Sequence, residues 1–507
     1  MATEATTDRR IISRFREHPL FWLSLFFLLS RILLYQFVPF RFERINDFMQ
    51  FLDPELLRGD LFAAVGHLHT QPPLHNLMVG LVLKIFPEGL QFHLLAGLYT
   101  LLSLGLILGL YHLLIERGVR LRIAWLTSAL FALCPTLIWA ERLPIYTLPI
   151  MVTLVLMGVS LQRYVRTHSP LFGFLFIAGT ITLPLTRSFF HLLLWTLPLL
   201  GAFLFLVRTI DRKRMKTYAL AALLGIALVG GWYGKNLAEY GSFTASTWQG
   251  MNLQGVVTLV PQENVQRLVE QGEVTPLALI PRFSSPGTYY RYYGRTPLRE
   301  HPALDDTLRS TGYINWNNRI YAEAGKEYQR NALKIATHYP LRTAEGIVNQ
   351  FYLFCSLRSY RIFHDPSRWW IPRTDNIVHL VQDLFLVYLV PLLIFFLIGS
   401  ALFRFVRTFR HTINGGEQPQ SNRPTIPVDL FIGFAILYTL IVSIIAELGE
   451  GNLMRVQIDP FLALTAGLIG ERIATTLSSD KKKSNGRLLR LPTFYRKARQ
   501  PYHDHSL

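Results

Sequence analysis

Runs of about 20 apolar residues, the length a helix needs to cross a hydrocarbon core, recur along this chain and constrain its fold more than any other feature. They fall near residues 19–37, 91–115, 122–139, 144–163, 170–186, 188–208, 217–234, 377–403, 428–446 and 456–475. Inside a bilayer every backbone N–H and C=O must find a partner within the protein, so many such runs imply a helical bundle. The expected class is an all-α polytopic membrane protein. The first run, "PLFWLSLFFLLSRILLYQF", has a basic leader but no small-residue cleavage site after it, and reads as a retained span.

Basic clusters punctuate the runs: "RGVRLR" (117–122), "RYVRTHS" (163–169), "RTIDRKRMK" (208–216), "RFVRTFRH" (404–411) and "KKK" (481–483). If these and the basic N-terminus face the cytoplasm, ten spans alternate without conflict. Topology then accounts for the formal charge of +18, and no nucleic-acid partner is called for. The expected organisation is a cytoplasmic tail (1–18) and an N-terminal membrane module (19–234) with its first external loop at 38–72. An extracytoplasmic, mostly helical cap (235–376), a C-terminal membrane module (377–475) and a basic cytoplasmic tail (476–507) follow. Within the cap, "RIYAEAGKEYQRNALKIATHY" (319–339) has the clearest helical pattern, and "TINGGEQPQSNRPTIP" (412–427) reads as a cytoplasmic linker. "PPLHNLMVGLVLKIF" (72–86) is apolar but short and begins with two prolines. A full crossing there would invert every later loop, so it is expected to be re-entrant or interfacial, with an eleventh, slanted crossing as the alternative. Cys134 and Cys355 offer neither a disulfide framework nor metal-ligand spacing.

Polar residues gather at the outer ends of the expected spans. Glu141 and Arg142, Arg187, Lys235 and Asn236, and Glu447, Glu450 and Arg455 share that side with the first external loop. Each taken singly fits an interfacial side chain that snorkels to water; together they favour a polar pocket at the outer leaflet. Arg31 lies inside the first span and needs a partner or an interface to offset its cost there. Basic groups in such a pocket can hold a lipid phosphate, and a carboxylate can take a proton from a hydroxyl.

The first external loop holds three aspartates in "RINDFMQFLDPELLRGD". Asp53 precedes Pro54 and Glu55 and is expected to cap a short helix. Asp60 follows Gly59 and fits a turn at that helix's end. Asp47 has no such complete explanation, although it could cap "FMQFL". His67, His69 and His75 in "GHLHTQPPLH" lack a spacing that zinc requires, and polar contacts or a substrate hydrogen bond are the expected use.

The order of an Asp-bearing loop after the first span, "HTQPPLHNLMVGLVLKIFP", "KNLAEYGSFTASTWQGMNL" and "EGNLMRVQIDPFLAL" resembles the GT-C class of integral membrane glycosyltransferases. It is most similar to bacterial relatives of protein O-mannosyltransferases and of lipid A aminoarabinose transferases. The resemblance covers about residues 19 to 475 through short anchors. It implies a GT-C-like bundle of about 10 to 11 transmembrane helices in the bacterial inner membrane, with both termini cytoplasmic. It also implies transfer of a sugar from a polyprenyl phosphate carrier to a hydroxyl acceptor on the extracytoplasmic side. Asp47 occupies the place of the family's essential loop acid, but Phe48 stands where a second carboxylate is frequent. Gln71 replaces the lysine of the family's Lys-Pro-Pro, so phosphate binding is not carried over to that position. Lys235 and Asn236 match the first two positions of an Arg-Asn-Tyr run, and Glu450, Arg455 and Pro460 match a late motif. Glu141 matches an acidic position after the fourth or fifth hydrophobic segment.

The resulting expectation makes Asp47 the general base of an inverting transfer. Arg187, Lys235 and Arg455 would stabilise the leaving phosphate, and Glu141, Asn236 and Glu450 would contribute to substrate binding. No cofactor is required by this reading, and a divalent cation is left open. A ligase or polymerase using a pyrophosphate-linked glycan and a non-enzymatic lipid or sugar transporter are the alternatives. The transporter predicts inverted repeats and midplane polar groups, neither of which stands out in the sequence.

Overall fold

The computed structural model describes residues 17–355, 426–446 and 451–488, together with 392, 393, 395 and 399. Among these residues all regular structure is helical, apart from an isolated bridge between Leu308 and Ile314. The expected span at 377–403, the linker at 412–427 and Glu450 lie largely or wholly outside the described residues.

The chain enters through α1 (Pro19–Tyr35) and then makes three short helices in the first loop. These are α2 (Arg44–Asp47), α3 (Pro54–Arg58) and α4 (Leu61–Gly66). Asp53 caps α3 as expected, accepting from Glu55 N at 2.9 Å. Asp60 does more than turn the chain: it is the N-cap of α4 and accepts from Ala63 N at 3.2 Å. α5 (Pro73–Ile85) has 13 residues and spans about 20 Å at 1.5 Å per residue, short of a hydrocarbon core. It packs on α3 and α4, as a re-entrant or interfacial segment would.

Among the described residues five helices are long and apolar enough to cross a membrane, or six if a bent pair counts as one span: Glu88–Glu116 (α6), Thr147–Thr167 (α9), the helix ending at Ile210, the helix ending at Tyr240 and Ile426–Ile445. The chain is therefore a helical membrane protein. The expected span 122–139 is not one straight helix. It divides into α7 (Leu121–Ala132) and α8 (Pro135–Arg142), bent by 53°. Pro135 has no N–H to give the preceding turn, so Cys134 N turns to Phe131 O at 3.0 Å and the axis breaks.

α9 packs between α6 and α10 (Pro170–Thr186), and α11 (Leu197–Ile210) and α12 (Met215–Tyr240) follow, α11 entered through a π turn at Leu192–Thr196. Buried leucine, isoleucine and phenylalanine side chains join these helices into one apolar core that reaches residues of the C-terminal segments. Many leucines on α11 and α12 stay exposed, among them Leu220, Leu224 and Leu228, in keeping with a lipid-facing surface.

Beyond α12 the chain builds a cap. α13 (Gln249–Gln254) crosses α17 (Ile320–His338) at backbone contact: a Cβ on Gly250 would meet Gly325 O at 1.8 Å, and one on Gly325 would meet Thr247 O at 2.2 Å. Only glycine permits that approach. An aromatic cluster including Trp248, Tyr289, Trp316, Tyr321 and Tyr328 forms the centre of the cap. Beneath it the buried Glu327 accepts from Tyr292 Oη at 2.7 Å and Tyr293 Oη at 2.9 Å. Between α13 and α17 come α14 (Gln262–Glu270), α15 (Pro286–Tyr292) and α16 (Pro302–Asp305); α18 (Pro340–Cys355) then leaves the cap and packs along α19 (Ile426–Ala446) and α20 (Gly451–Val456). The expected cap range thus contains a helix joined to the membrane module. The final described helix, α21 (Asp459–Leu488), packs on α7.

Candidate functional site

The first external loop is held in shape from the cap. The buried Arg309 guanidinium donates to Phe48 O at 3.0 Å and Met49 O at 3.3 Å, and also to Phe51 O. Next to it, Ser310 N and Oγ each reach Asp53 at 2.6 Å, and Thr311 Oγ1 donates to Asn46 O at 3.1 Å. Burial lowers the Arg309 pKa to about 10, against the pull of Tyr313, Asp53 and Asp47, so it stays charged at neutral pH. Asp47 closes α2, and the following Phe48 is extended, so no helix "FMQFL" exists for it to cap. Its Oδ2 accepts from Arg44 Nη1 at 2.7 Å, while Oδ1 is buried and has no hydrogen-bond partner among the described residues. Arg309 therefore fixes a loop whose Asp47 side chain is 43% exposed and keeps one oxygen unpaired among the described residues.

A second clamp holds the loop's far end. His69 is buried, with Nδ1 at 2.7 Å from Thr247 Oγ1 and Nε2 at 2.9 Å from Asn317 O. Asn317 Oδ1 accepts from His69 N at 3.0 Å and from Thr70 Oγ1 at 3.1 Å. Lys235 Nζ donates to Gly66 O at 3.1 Å and also to Leu68 O, and its ammonium lies 4.0 Å from the Trp232 ring centroid. Asn236 Nδ2 holds Thr244 O at 2.8 Å across the exit from α12. Two of the expected site residues, Lys235 and Asn236, thus hold backbone in place. His69 and His75 also bind backbone carbonyls, His75 Nε2 lying 3.1 Å from Pro144 O, whereas the His67 ring lies against that of His301. Among the described residues no group of three or more His, Cys, Asp or Glu is placed to hold a metal ion.

Residues 141–147 form the hub between these parts. Arg41 N donates to Arg142 O at 2.8 Å, which ties the first loop to the end of α8. Tyr99 Oη reaches Ile145 O at 2.9 Å, and the Arg187 guanidinium lies 4.4 Å from the Tyr146 ring centroid. Glu141 is fully buried and accepts from Arg31 Nε at 2.8 Å; Arg142 Nη2 lies 3.5 Å from its other oxygen and the Arg142 guanidinium covers the Tyr35 ring at 3.9 Å. Arg31 also donates to Ala132 O at 2.8 Å, a carbonyl at the end of α7 beside the break at Pro135. The buried arginine of this apolar helix therefore has a carboxylate partner.

The hub gathers Glu141 and Arg187 beside the loop that bears Asp47, whereas Lys235 meets that loop at its other end and Asn236 holds the exit from α12. Arg455 stands apart, at the opposite end of α8. Its Nε is 3.3 Å from Asp459 Oδ1 and its Nη1 reaches Cys355 O at 3.3 Å, while Asp459 Oδ2 accepts from Thr136 Oγ1 at 3.0 Å. The sequence reading did not single out Arg309 and Asn317. The signal for Asn317 was available: the run "NWNNR" puts three amides into an aromatic cap, and buried amides must be bonded. For Arg309 no local pattern exists, because its partners lie about 260 residues away.

No protein-family model matches the chain, nor does any curated protein or solved structure.

Proposed function

We propose that the protein is a membrane glycosyltransferase that moves a sugar from a polyprenyl phosphate to a hydroxyl acceptor on the extracytoplasmic side. The observation that carries this reading is the Asp47 carboxylate, bound to Arg44 through one oxygen and unsatisfied at the other, on a loop fixed by Arg309. A general base needs an accepting oxygen held ready for the incoming hydroxyl. In the proposed step the acceptor oxygen forms a bond to the anomeric carbon from the face opposite the phosphate. The bond from that carbon to the phosphate oxygen breaks, the phosphate leaves with the electron pair, and the hydroxyl proton passes to Asp47.

Of the basic residues expected to receive the phosphate, Arg187 suits the role best. It ends α10 and its guanidinium plane is set against Tyr146, next to the hub. Lys235 and Arg455 serve the reading indirectly, by holding the loop and by bracing α20 against α8. Glu141 would orient Arg142 and the hub rather than touch the sugar, and Glu450 keeps the substrate-binding role its motif implies. The reading carries with it a bundle of ten or eleven spans in a bacterial inner membrane with both termini cytoplasmic; the basic clusters at one end of the spans support that orientation.

The test is transfer from a labelled polyprenyl phosphate sugar by the full-length protein in lipid. Asp47→Asn is expected to lower turnover by about a thousandfold, within the range of a lost general base, at an unchanged melting temperature. Full turnover by Asp47→Asn would remove Asp47 from the mechanism.

A further inference from the structure

A cleft of about 820 Å³ opens between the cap, the last turn of α12 and the first external loop. Its size is that of a small-molecule site, and none of the hub residues lines it. We infer that this cleft binds an uncharged oligosaccharide segment, which in the proposed reaction belongs to the acceptor. The assignment of a saccharide rests on the cleft's walls; calling it the acceptor rests on the proposed transfer.

The walls decide the ligand chemistry by charge balance. Three carboxylates, Glu239, Glu300 and Glu323, face three cations, Arg295, Arg319 and Lys326. The cations are largely matched: Arg295 lies 2.8 Å from Glu323, and Arg319 lies 3.8 Å from Glu300 and 2.6 Å from the buried Asp305 behind it. An anionic headgroup or phosphate meets no net positive field there, and an acyl chain would have to desolvate six charged groups. A polyol loses neither way, because each hydroxyl both donates and accepts and can bond to guanidinium and carboxylate alike.

Aromatic faces complete the match. The His67 and His301 rings meet at a 32° tilt with centroids 4.6 Å apart, joining the first loop to the cap at the cleft, and Tyr240 and Tyr290 add further ring surface. Rings with an apolar face and a polar edge suit the C–H faces and hydroxyl rims of sugars. The place is also apt: Tyr240 ends a candidate membrane span, so a ligand here lies at the outer membrane surface along the same loop that carries Asp47.

The experiment uses full-length protein in nanodiscs and saturation-transfer NMR with maltotetraose, mannotetraose and chitotetraose. A serine- and threonine-containing peptide and inorganic pyrophosphate serve as competing probes. At least one tetrasaccharide is expected to bind saturably, and the double variant His301→Ala/Lys326→Ala, at two exposed positions, should weaken it at least about tenfold. Binding that the double variant leaves unchanged, binding by none of the three, or binding of the peptide or pyrophosphate in their place overturns the inference. Asp47→Asn separates the two proposals. Full transfer by that variant sinks the glycosyltransferase reading while saccharide binding stands; a transfer-dead Asp47→Asn in a protein that binds no tetrasaccharide sinks the cleft alone.

Discussion

At the residue scale, the first loop shows how a polar side chain's use depends on which of its atoms are already bonded. Asp53 and Asp60 spend their oxygens on helix caps, and Asp53 also receives Ser310, whereas Asp47 retains a buried oxygen. His69 spends both ring nitrogens on the cap, and burial pushes its pKa down to about 3, with the Lys235 and Arg319 charges adding to the fall. The fold therefore accepts only the neutral ring, while an unfolded histidine takes its proton near 6.5. Between about 6.5 and about 3 the opened state binds the extra proton, so the stability His69 contributes is full above that window and declines as pH falls through it. The opening equilibrium at residues 66–71, obtained from amide hydrogen exchange divided by the intrinsic exchange rate at each pH, is expected to rise on acidification from pH 7 to pH 4.5. An opening equilibrium unchanged across that range would remove His69 from the account.

At the scale of elements, the turn at residues 309–311 acts on the loop at 46–53 from about 260 residues away. A guanidinium can serve several carbonyls at once because its donors form a fixed planar fork, which an ammonium lacks. Arg309→Lys should therefore loosen the loop, and Arg309→Ala should cost about 3 kcal/mol, in the range for charged hydrogen bonds to buried groups. In Arg309→Ala, exchange mass spectrometry should show faster uptake across residues 44–53 and unaltered uptake in α6. Under the proposed transfer, turnover should fall with it, since Asp47 loses its fixed position. The break at Pro135 works on the same scale: it frees α8 to point Thr136 toward α21 and Glu141 toward α1.

At the scale of the whole molecule, the cap and the first loop form one body on one side of the helical bundle. His69, Asn317, Arg309 and Lys235 all join chain segments that an apolar plot leaves far apart. The orientation proposed for the bundle places this body outside the cell membrane and the basic loops within. In intact cells carrying Cys134→Ser and Cys355→Ser, a cysteine introduced by Thr296→Cys should react with a membrane-impermeant maleimide. One introduced by Lys213→Cys should react only after permeabilisation. The reverse pattern would invert the topology and remove Asp47 from the extracytoplasmic face.

The amino-acid sequence alone settled that the chain is a helical membrane protein, from the length of its apolar runs, the approximate extent of several long helices, and, from Asp-Pro-Glu capping chemistry, that Asp53 caps α3. Residues 319–339 were likewise legible as a helix, and an arginine inside the apolar run 19–37 calls for a partner or an interface, of which Glu141 supplies the partner. Only the tertiary structure decided that the 122–139 run is two helices, that Lys235 and Asn236 bind backbone, that Arg455 sits away from the hub, and that a charge-balanced cleft lies under the cap. The break in the 122–139 run follows from Pro135, while the side-chain contacts and the cleft share one physical reason. A long polar side chain reaches several groups whose positions are set by contacts distant in sequence, and which of them it meets depends on how the bundle and cap close around it.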